Sequence, residues 1–218
     1  MTKRTPSPRN KPDPPSLIID TALALAARDG WAQLSIRDIA VAANVPIGEA
    51  FAIFPSKQAI LTAFRNRIDQ TVVAGTELDS LDGAVRDRLF DILMRRLEVL
   101  LPWKEGVAAI ARDTLRDPLA SLHGITSLNR SMALMAECAG ISSSGLRGRT
   151  RIRGLTVIYL FVLRRWLNDD STDMAPTMAE LDGKLKTAEE FLQRLCPLIQ
   201  GNRRKTEREK QPIIRDPT

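Results

Sequence analysis

Twenty-four residues, Leu34 to Lys57 (LSIRDIAVAANVPIGEAFAIFPSK), constrain the fold of this chain more than any other stretch. They spell two short helices meeting at a tight turn. Ser35 is placed to cap a helix from Ile36 to Ala43 through its hydroxyl, and Asp38 lies in the first turn, where the helix dipole favours an anion. Asn44 suits the left-handed turn that ends this helix. Pro46 opens the next one, because the amide hydrogen it lacks would have no partner there. That second helix runs to about Phe54, where Pro55 and Ser56 stop it, and Ser56 then caps a third, longer helix. The pattern is a helix-turn-helix.

The flanking residues complete a small helical domain. Leu17, Ile18, Thr21, Ala22, Leu25 and Ala26 put one apolar stripe on a helix of about thirteen residues, closed by Asp29-Gly30. Trp31 and Leu34 are read as filling the space between it and the helix-turn-helix. The helix after Ser56 continues through Phe64, Ile68 and Val72 towards Glu77, long enough to join this domain to a larger one. Apolar residues recur at helical spacing throughout, and nothing alternates with a period of two over more than a few residues. The chain is therefore read as all-α.

The segment Leu17 to Phe64 resembles the DNA-binding domain of TetR-type (TetR/AcrR) bacterial transcriptional regulators. The resemblance rests on the TALALAARDGW run, Leu34-Ser35-Ile36, Asp38-Ile39-Ala40, Ala43, Val45, Gly48, Phe51, and Phe54-Pro55-Ser56-Lys57 followed by Ala59-Ile60-Leu61. It implies a TetR-like fold: an N-terminal three-helix helix-turn-helix domain and a larger helical ligand-binding and dimerisation domain. It further implies a double-stranded DNA partner met by Ser35, Arg37, Pro46, Ile47, Gly48, Glu49, Phe51 and Lys57. In such proteins the helix beginning near Pro46 offers a Lys, a Thr or Ser, a Tyr and a further polar pair to the duplex. Ile47, Glu49, Phe51, Ala52 and Ile53 depart from that pattern. Phosphate contacts supply much of a DNA reader's affinity and base-edge contacts its specificity. The surviving phosphate donors are Ser35, Arg37, Lys57 and the amides at helix starts.

Charge is informative by location. Residues 1–15 and 198–218 each carry a net +3, which accounts for the whole +6 of the chain, so the body between them is formally neutral. The high pI that would invite a nucleic-acid reading describes the tails. Both are read as disordered basic tails, the first rich in Pro and charge with almost nothing to bury. Neither contains the apolar core of a signal peptide, so a cytoplasmic protein is expected. The domains are accordingly read as 1–15, 16–65 (helix-turn-helix), 66–197 (ligand-binding and dimerisation) and 198–218.

Within 66–197, Val85, Leu89, Ile92, Leu93, Leu97 and Leu100 define a helix ended by Pro102. Trp103, Val107, Ile110, Ala111 and Leu115 define another, and Leu122, Ile125, Leu128, Met132 and Met135 lie along a third. Methionine is pliable and suits either an irregular core or a pocket for apolar molecules. Trp103, Met132, Met135 and Tyr159 are the candidate lining of a small apolar ligand's pocket. Next come Arg147, Arg149, Arg151 and Arg153, then LTVIYLFVL, apolar except for Thr156. The arginines fit an exposed stripe paired with acidic neighbours such as Glu180 or Glu189, an anion or lipid-headgroup site, or a domain interface. The apolar run is too short for a bilayer, which needs roughly twenty residues, so no integral membrane segment is expected. A helix apolar all round requires burial. The TetR resemblance supplies it by pairing the last two helices across a homodimer, with Leu155, Ile158, Val162, Leu181, Leu185 and Leu192 as the candidate interface.

Trp166-Leu167-Asn168-Asp169-Asp170-Ser171, with Thr177 and Leu181, loosely resembles the end of the lipid-binding ubiquinone-biosynthesis proteins that share the TetR-like fold without its DNA contacts. The sequence is read as a non-enzyme, with no metal and no cofactor. His123 has no nucleophile near it, and Cys138 and Cys196 are too far apart for a CxxC site and are expected to be reduced. Two functions remain: a ligand-responsive regulator of transcription, most simply a repressor, and a lipid- or quinone-binding protein that has lost sequence-specific DNA binding.

Overall fold

The computed structural model describes residues 13–76 and 83–209, and side chains as far as Leu192. Nine α-helices make up the described residues: α1 (Pro14–Asp29), α2 (Ile36–Ala42), α3 (Ile47–Ile53), α4 (Lys57–Ala74), α5 (Val85–Leu100), α6 (Lys104–Thr114), α7 (Pro118–Cys138), α8 (Gly145–Leu167) and α9 (Ala175–Glu209), with a 3-10 turn over Leu101–Trp103. No strand occurs among them.

The local signals act as their chemistry dictates. Asp13 caps α1, Ser35 caps α2 and Ser56 caps α4. Asn44 holds φ 53°, the left-handed conformation that turns the chain from α2 into α3. Gly30, at φ 84°, ends α1. The tail expected over 1–15 gives up its last three residues to α1 and its cap; residues 1–12 lie outside the described residues. At the other end, α9 continues past the expected boundary at 197 to Glu209, so most of the segment read as a basic tail from 198 is helical; residues 210–218 lie outside the described residues.

α1 to α4 enclose the first part of the core, where Ile18, Leu23, Ile39 and Ile60 are fully buried and Trp31 and Leu34 fill the gap expected of them. As expected, α4 continues through the domain boundary at residue 65. It runs on to Ala74 and packs Ile68 and Val72 among the helices of the larger domain. The larger domain uses the expected stripe of α5, except that Val85 is exposed. In α6 the expected Trp103, Val107 and Ile110 pack, half-buried, against the core, and in α7 only the second half of the stripe is buried. α6 buries Gly106 and Ala109, while Leu115 is 80% exposed. α7 buries Met132 and Met135 but leaves Leu119, Leu122 and Ile125 in solvent.

Gly106 sets how closely α6 approaches α1. A Cβ there would stand 2.6 Å from the carbonyl oxygen of Leu23, so only glycine lets α6 lie this close to the backbone of α1. Gly106→Ala gains about 1 kcal/mol of helix propensity. It also drives a methyl group into a backbone carbonyl that cannot rotate away, and overpacking of that kind costs about 1–3 kcal/mol. The expected net result is a loss of up to about 2 kcal/mol, read as a lower urea midpoint at unchanged slope.

Candidate nucleic-acid interface and interior polar site

Ser35 and Asp38 hold α2 in a reciprocal cap. The Asp38 amide donates to Ser35 Oγ at 3.1 Å, and Asp38 Oδ2 accepts from the Ser35 amide at 2.9 Å and the Ser35 hydroxyl at 2.6 Å. The hydroxyl hydrogen bond, followed by the amide, holds the Asp38 carboxyl below the usual range. Ser35 is therefore committed to structure. Across the turn, α3 turns Ala50 inwards and leaves Ile47, Gly48, Glu49, Phe51 and Ala52 in solvent, with Ile47 47% and Phe51 48% exposed. Arg37, Pro46 and, on α2, Val41 are exposed to differing degrees as well. The outer surface of the helix-turn-helix thus carries three large apolar side chains, two carboxylates, at Asp38 and Glu49, and one guanidinium at Arg37.

Lys57 faces the other way. Its ammonium donates to the carbonyl of Trp31 at 2.8 Å and to that of Ala32 at 3.4 Å, and it lies 5.0 Å from the centre of the Trp31 ring. Partial burial pulls its pKa down. In this structure the charge of Lys57, expected at phosphate, ties the start of α4 to the turn after α1, where carbonyls beyond a helix end need donors from elsewhere.

The small domain meets the larger one through polar and aromatic contacts. Asp113 on α6 accepts from the Ala32 amide at 2.8 Å, and Arg67 on α4 pairs with Asp20 on α1 at 2.6 Å. Arg67 also lies over the ring of Trp103 at 4.9 Å, and Trp103 meets Phe64 edge-on at 5.6 Å. Trp103, expected in a ligand pocket, is a half-buried part of this junction.

Met132, Met135 and Tyr159 are fully buried in the larger domain. There Tyr159 belongs to a polar cluster built from four helices. Arg96 on α5 pairs with Asp69 on α4, and its Nε donates to the Tyr159 hydroxyl at 3.2 Å. Ser131 on α7 donates to the second oxygen of Asp69 at 2.6 Å. All four residues are buried, and Arg96 is only 4% exposed. Burial pushes the Tyr159 hydroxyl up, with the Arg96 charge opposing it. Asp69, Arg96 and Ser131 were missed in the sequence, although a signal was present: Arg96 sits on the Leu89, Leu93, Leu100 stripe of α5, and Asp69 sits beside Ile68 on the buried face of α4. A charge on an apolar stripe is seldom buried without a partner.

The residues expected at a dimer interface differ in exposure. Leu155, Val162, Leu181 and Leu185 are buried within the protomer and Ile158 is half-buried, while Leu192 is exposed. The apolar run of α8 is buried on one side, towards α5, α7 and α9, and presents Val157, Leu160 and Phe161 on the other; Phe191 is exposed on α9. A run apolar all round cannot disclose which side faces its own subunit. The four arginines of α8 are exposed and, among the described residues, unpaired, while Glu180 pairs with Lys184. No described helix is long and apolar enough to cross a membrane.

Comparison with known proteins matches this geometry. Residues 18–64 match the family described as bacterial regulatory proteins, tetR family. Among solved structures, the chain is similar to a TetR transcriptional regulator from Nitrosomonas europaea, with 23% identity, a TM-score of 0.66, and 80% of this chain and 97% of that one covered. A TetR regulator from Rhodococcus sp. RHA1 gives 21% identity and a TM-score of 0.59 over 80% and 94% of the two chains. The transcriptional regulator FadR from Bacillus subtilis, solved in complex with stearoyl-CoA, gives 18% and 0.51 over 78% and 95%. No curated protein sequence matches the chain. The class is thus an all-helical protein with an N-terminal helix-turn-helix. More narrowly, residues 18–64 are a TetR-type N-terminal domain and the chain has the TetR regulator fold.

The polar cluster makes a stability prediction. Truncating one partner of a buried ion pair leaves the other charge uncompensated, which costs about 3–5 kcal/mol. Arg96→Leu is expected to lose that much, whereas Ser131→Ala removes one hydrogen bond to a charged group and is expected to lose about 1.5–3 kcal/mol. Urea unfolding of both variants measures the difference.

Proposed function

We propose that the protein is a homodimeric DNA-binding transcriptional regulator, a repressor, controlled by a small apolar ligand held in the α5–α9 domain. One observation carries the reading: the family match at 18–64 coincides with a helix-turn-helix whose α2 and α3 have their outer faces in solvent. In a dimer, two such heads meet successive major grooves about one helical turn (roughly 34–36 Å) apart. Arg37 is the cation available to phosphate on this surface. Ile47 and Phe51 suit apolar contact with thymine methyl groups, and Glu49 can accept from cytosine N4. The α8–α9 face with Val157, Phe161 and Phe191 is the surface for the second copy. An apolar ligand accords with the stearoyl-CoA held by the Bacillus subtilis protein of the same fold. The setting of such a regulator is the cytoplasm.

A second reading, a lipid- or quinone-binding protein without sequence-specific DNA binding, is favoured by the same α3 surface, since Lys57 is committed to carbonyls and α3 offers no cation. A salt titration of binding to the DNA flanking its own gene, against a scrambled duplex, separates the two. For the regulator, the native duplex is preferred and Arg37→Ala lowers the salt slope by about 0.9 for each phosphate left without its cation. Lys57→Ala leaves the slope unchanged and lowers the melting temperature. Equal, weak binding to both duplexes would establish the second reading. The dimer has its own test. Phe161→Glu places a charge on the proposed contact and is expected to give monomers in sedimentation equilibrium, with wild-type helicity retained.

A further inference from the structure

Asp113 stands where a carboxylate gains nothing from its own helix. It lies in the last turn of α6, the end at which the helix dipole disfavours an anion. Its side chain is nevertheless only 12% exposed. Acidic side chains are rarely so enclosed without partners. The close partner lies across the domain junction: Oδ2 accepts from the Ala32 amide at 2.8 Å. Arg116 Nη1, just past the end of α6, stands 3.6 Å from Oδ1 on a side chain that is 75% exposed, and an ion pair in that setting is worth little.

The peptide that Asp113 holds is gripped from both domains. Lys57 of the small domain binds the carbonyls of Trp31 and Ala32, and Asp113 of the larger one binds the Ala32 amide. This turn, over 31–33, follows Gly30 at φ 84° and leads directly to Leu34 and to Ser35, the cap of α2. A Cβ at Gly30 would lie 3.6 Å from Asp113 Oδ2, so the carboxylate sits against the glycine that ends α1. Farther back along the same two helices, Gly106 lies on the carbonyl of Leu23. α6 therefore runs in the same direction as α1 and is fastened to the small domain at two points, 106 and 113. Seven residues of helix separate them, about 10 Å at 1.5 Å per residue. One van der Waals contact lets a helix pivot on its neighbour. A directional hydrogen bond two turns away from that contact does not.

We infer that Asp113 is a positioning residue for the reading head: by holding the Ala32 amide it stops the small domain pivoting on α6, fixes the angle at which α2 and α3 are presented, and so sets the half-site spacing that two copies accept. The assignment rests on the regulator reading above and deepens it, from a dimer that reads DNA to the residue that determines its spacing. The interaction needs an acceptor at that point and not a charge, so asparagine can replace aspartate where alanine cannot.

Two measurements on the full chain read the tie without DNA. In Asp113→Ala the Ala32 amide is expected to exchange its hydrogen at least tenfold faster, with the interior amides of α1 and α6 unchanged; in Asp113→Asn it stays within threefold of wild type. Spin labels at Ala52→Cys on α3 and Arg149→Cys on α8, in a chain carrying Cys138→Ala and Cys196→Ala and diluted with unlabelled protein, report the angle as a distribution of distances. That distribution is expected to broaden at least twofold in Asp113→Ala and to stay narrow in Asp113→Asn. Spacing is read on duplexes with two copies of the half-site that the wild-type chain selects from a random pool, their separation varied by single base pairs about one helical turn. Wild type and Asp113→Asn should prefer one separation at least tenfold, and Asp113→Ala should discriminate less than threefold. An Ala32 amide indifferent to Asp113→Ala, a freed amide with distances or spacing preference unchanged, or Asp113→Asn behaving as Asp113→Ala does would overturn the inference. Wild type that binds every duplex alike would refute the regulator reading instead, and exchange and distances then decide the tie by themselves.

Discussion

The ion pair between Asp69 and Arg96 fixes the larger domain. Taking the two charges out of water costs several kcal/mol per ion, and attraction repays it only where the remaining donors and acceptors are also engaged. Asp69 meets that condition through Ser131, and Arg96 meets it in part through Tyr159. The four residues come from α4, α5, α7 and α8, so none of these helices can slide against the others without breaking a buried bond. Apolar packing around them tolerates small shifts; a charge-assisted hydrogen bond in a low-dielectric interior tolerates far less.

α4 extends this constraint to the small domain. It is one continuous helix of 18 residues, about 27 Å long at 1.5 Å per residue. Lys57 at its start is tied to the turn after α1, Phe64 and Arg67 in its middle lie at the junction, and Asp69 near its end lies in the cluster. A second connection runs through α6, where Gly106 lies on the backbone of α1 and Asp113 holds the Ala32 amide. The helix-turn-helix is therefore gripped at two places, by a helix that passes through it and by one packed against its first helix. A displacement at Asp69 has a rigid path to Lys57, whereas the contact at Gly106 opposes any change in the angle between α1 and α6.

Local chemistry was legible wherever one residue type decides the backbone. Ser35 with Asp38, Asn44, Pro46, Ser56 and Gly30 marked caps and turns in the sequence, and each occupies that role in the structure. Long-range burial was legible only where the apolar stripe was narrow. α5 has such a stripe and its core face was found. α8 is apolar all round, so the sequence could not separate Leu155 and Val162, which face inwards, from Val157 and Phe161, which do not. In α6 the expected Trp103, Val107 and Ile110 do meet the core, but its closest contact is made by Gly106, which apolar periodicity does not count. The candidate interior site was hidden for a related reason: its acceptor and two of its donors are Asp69, Arg96 and Ser131, polar residues that a search for apolar lining passes over. The contacts of Lys57 with the Trp31 and Ala32 carbonyls were not legible, because sequence gives a lysine's charge but not the direction of its stem.

The composition of α3 links the two ends of the molecule energetically. An apolar reading face discriminates between base pairs but does little to attract a polyanion, since phosphate contacts supply most of the attraction. With one exposed guanidinium at Arg37 against two carboxylates, Asp38 and Glu49, a single head has no net positive charge on this surface to draw it to DNA. Duplicating the head makes the second contact intramolecular and raises affinity without any new cation, provided that the spacing of the two heads matches the groove. Under the regulator reading, binding then depends steeply on the α8–α9 face that joins the copies and on the α4 and α6 connections that set the spacing. A head that held phosphate strongly by itself would be insensitive to such changes.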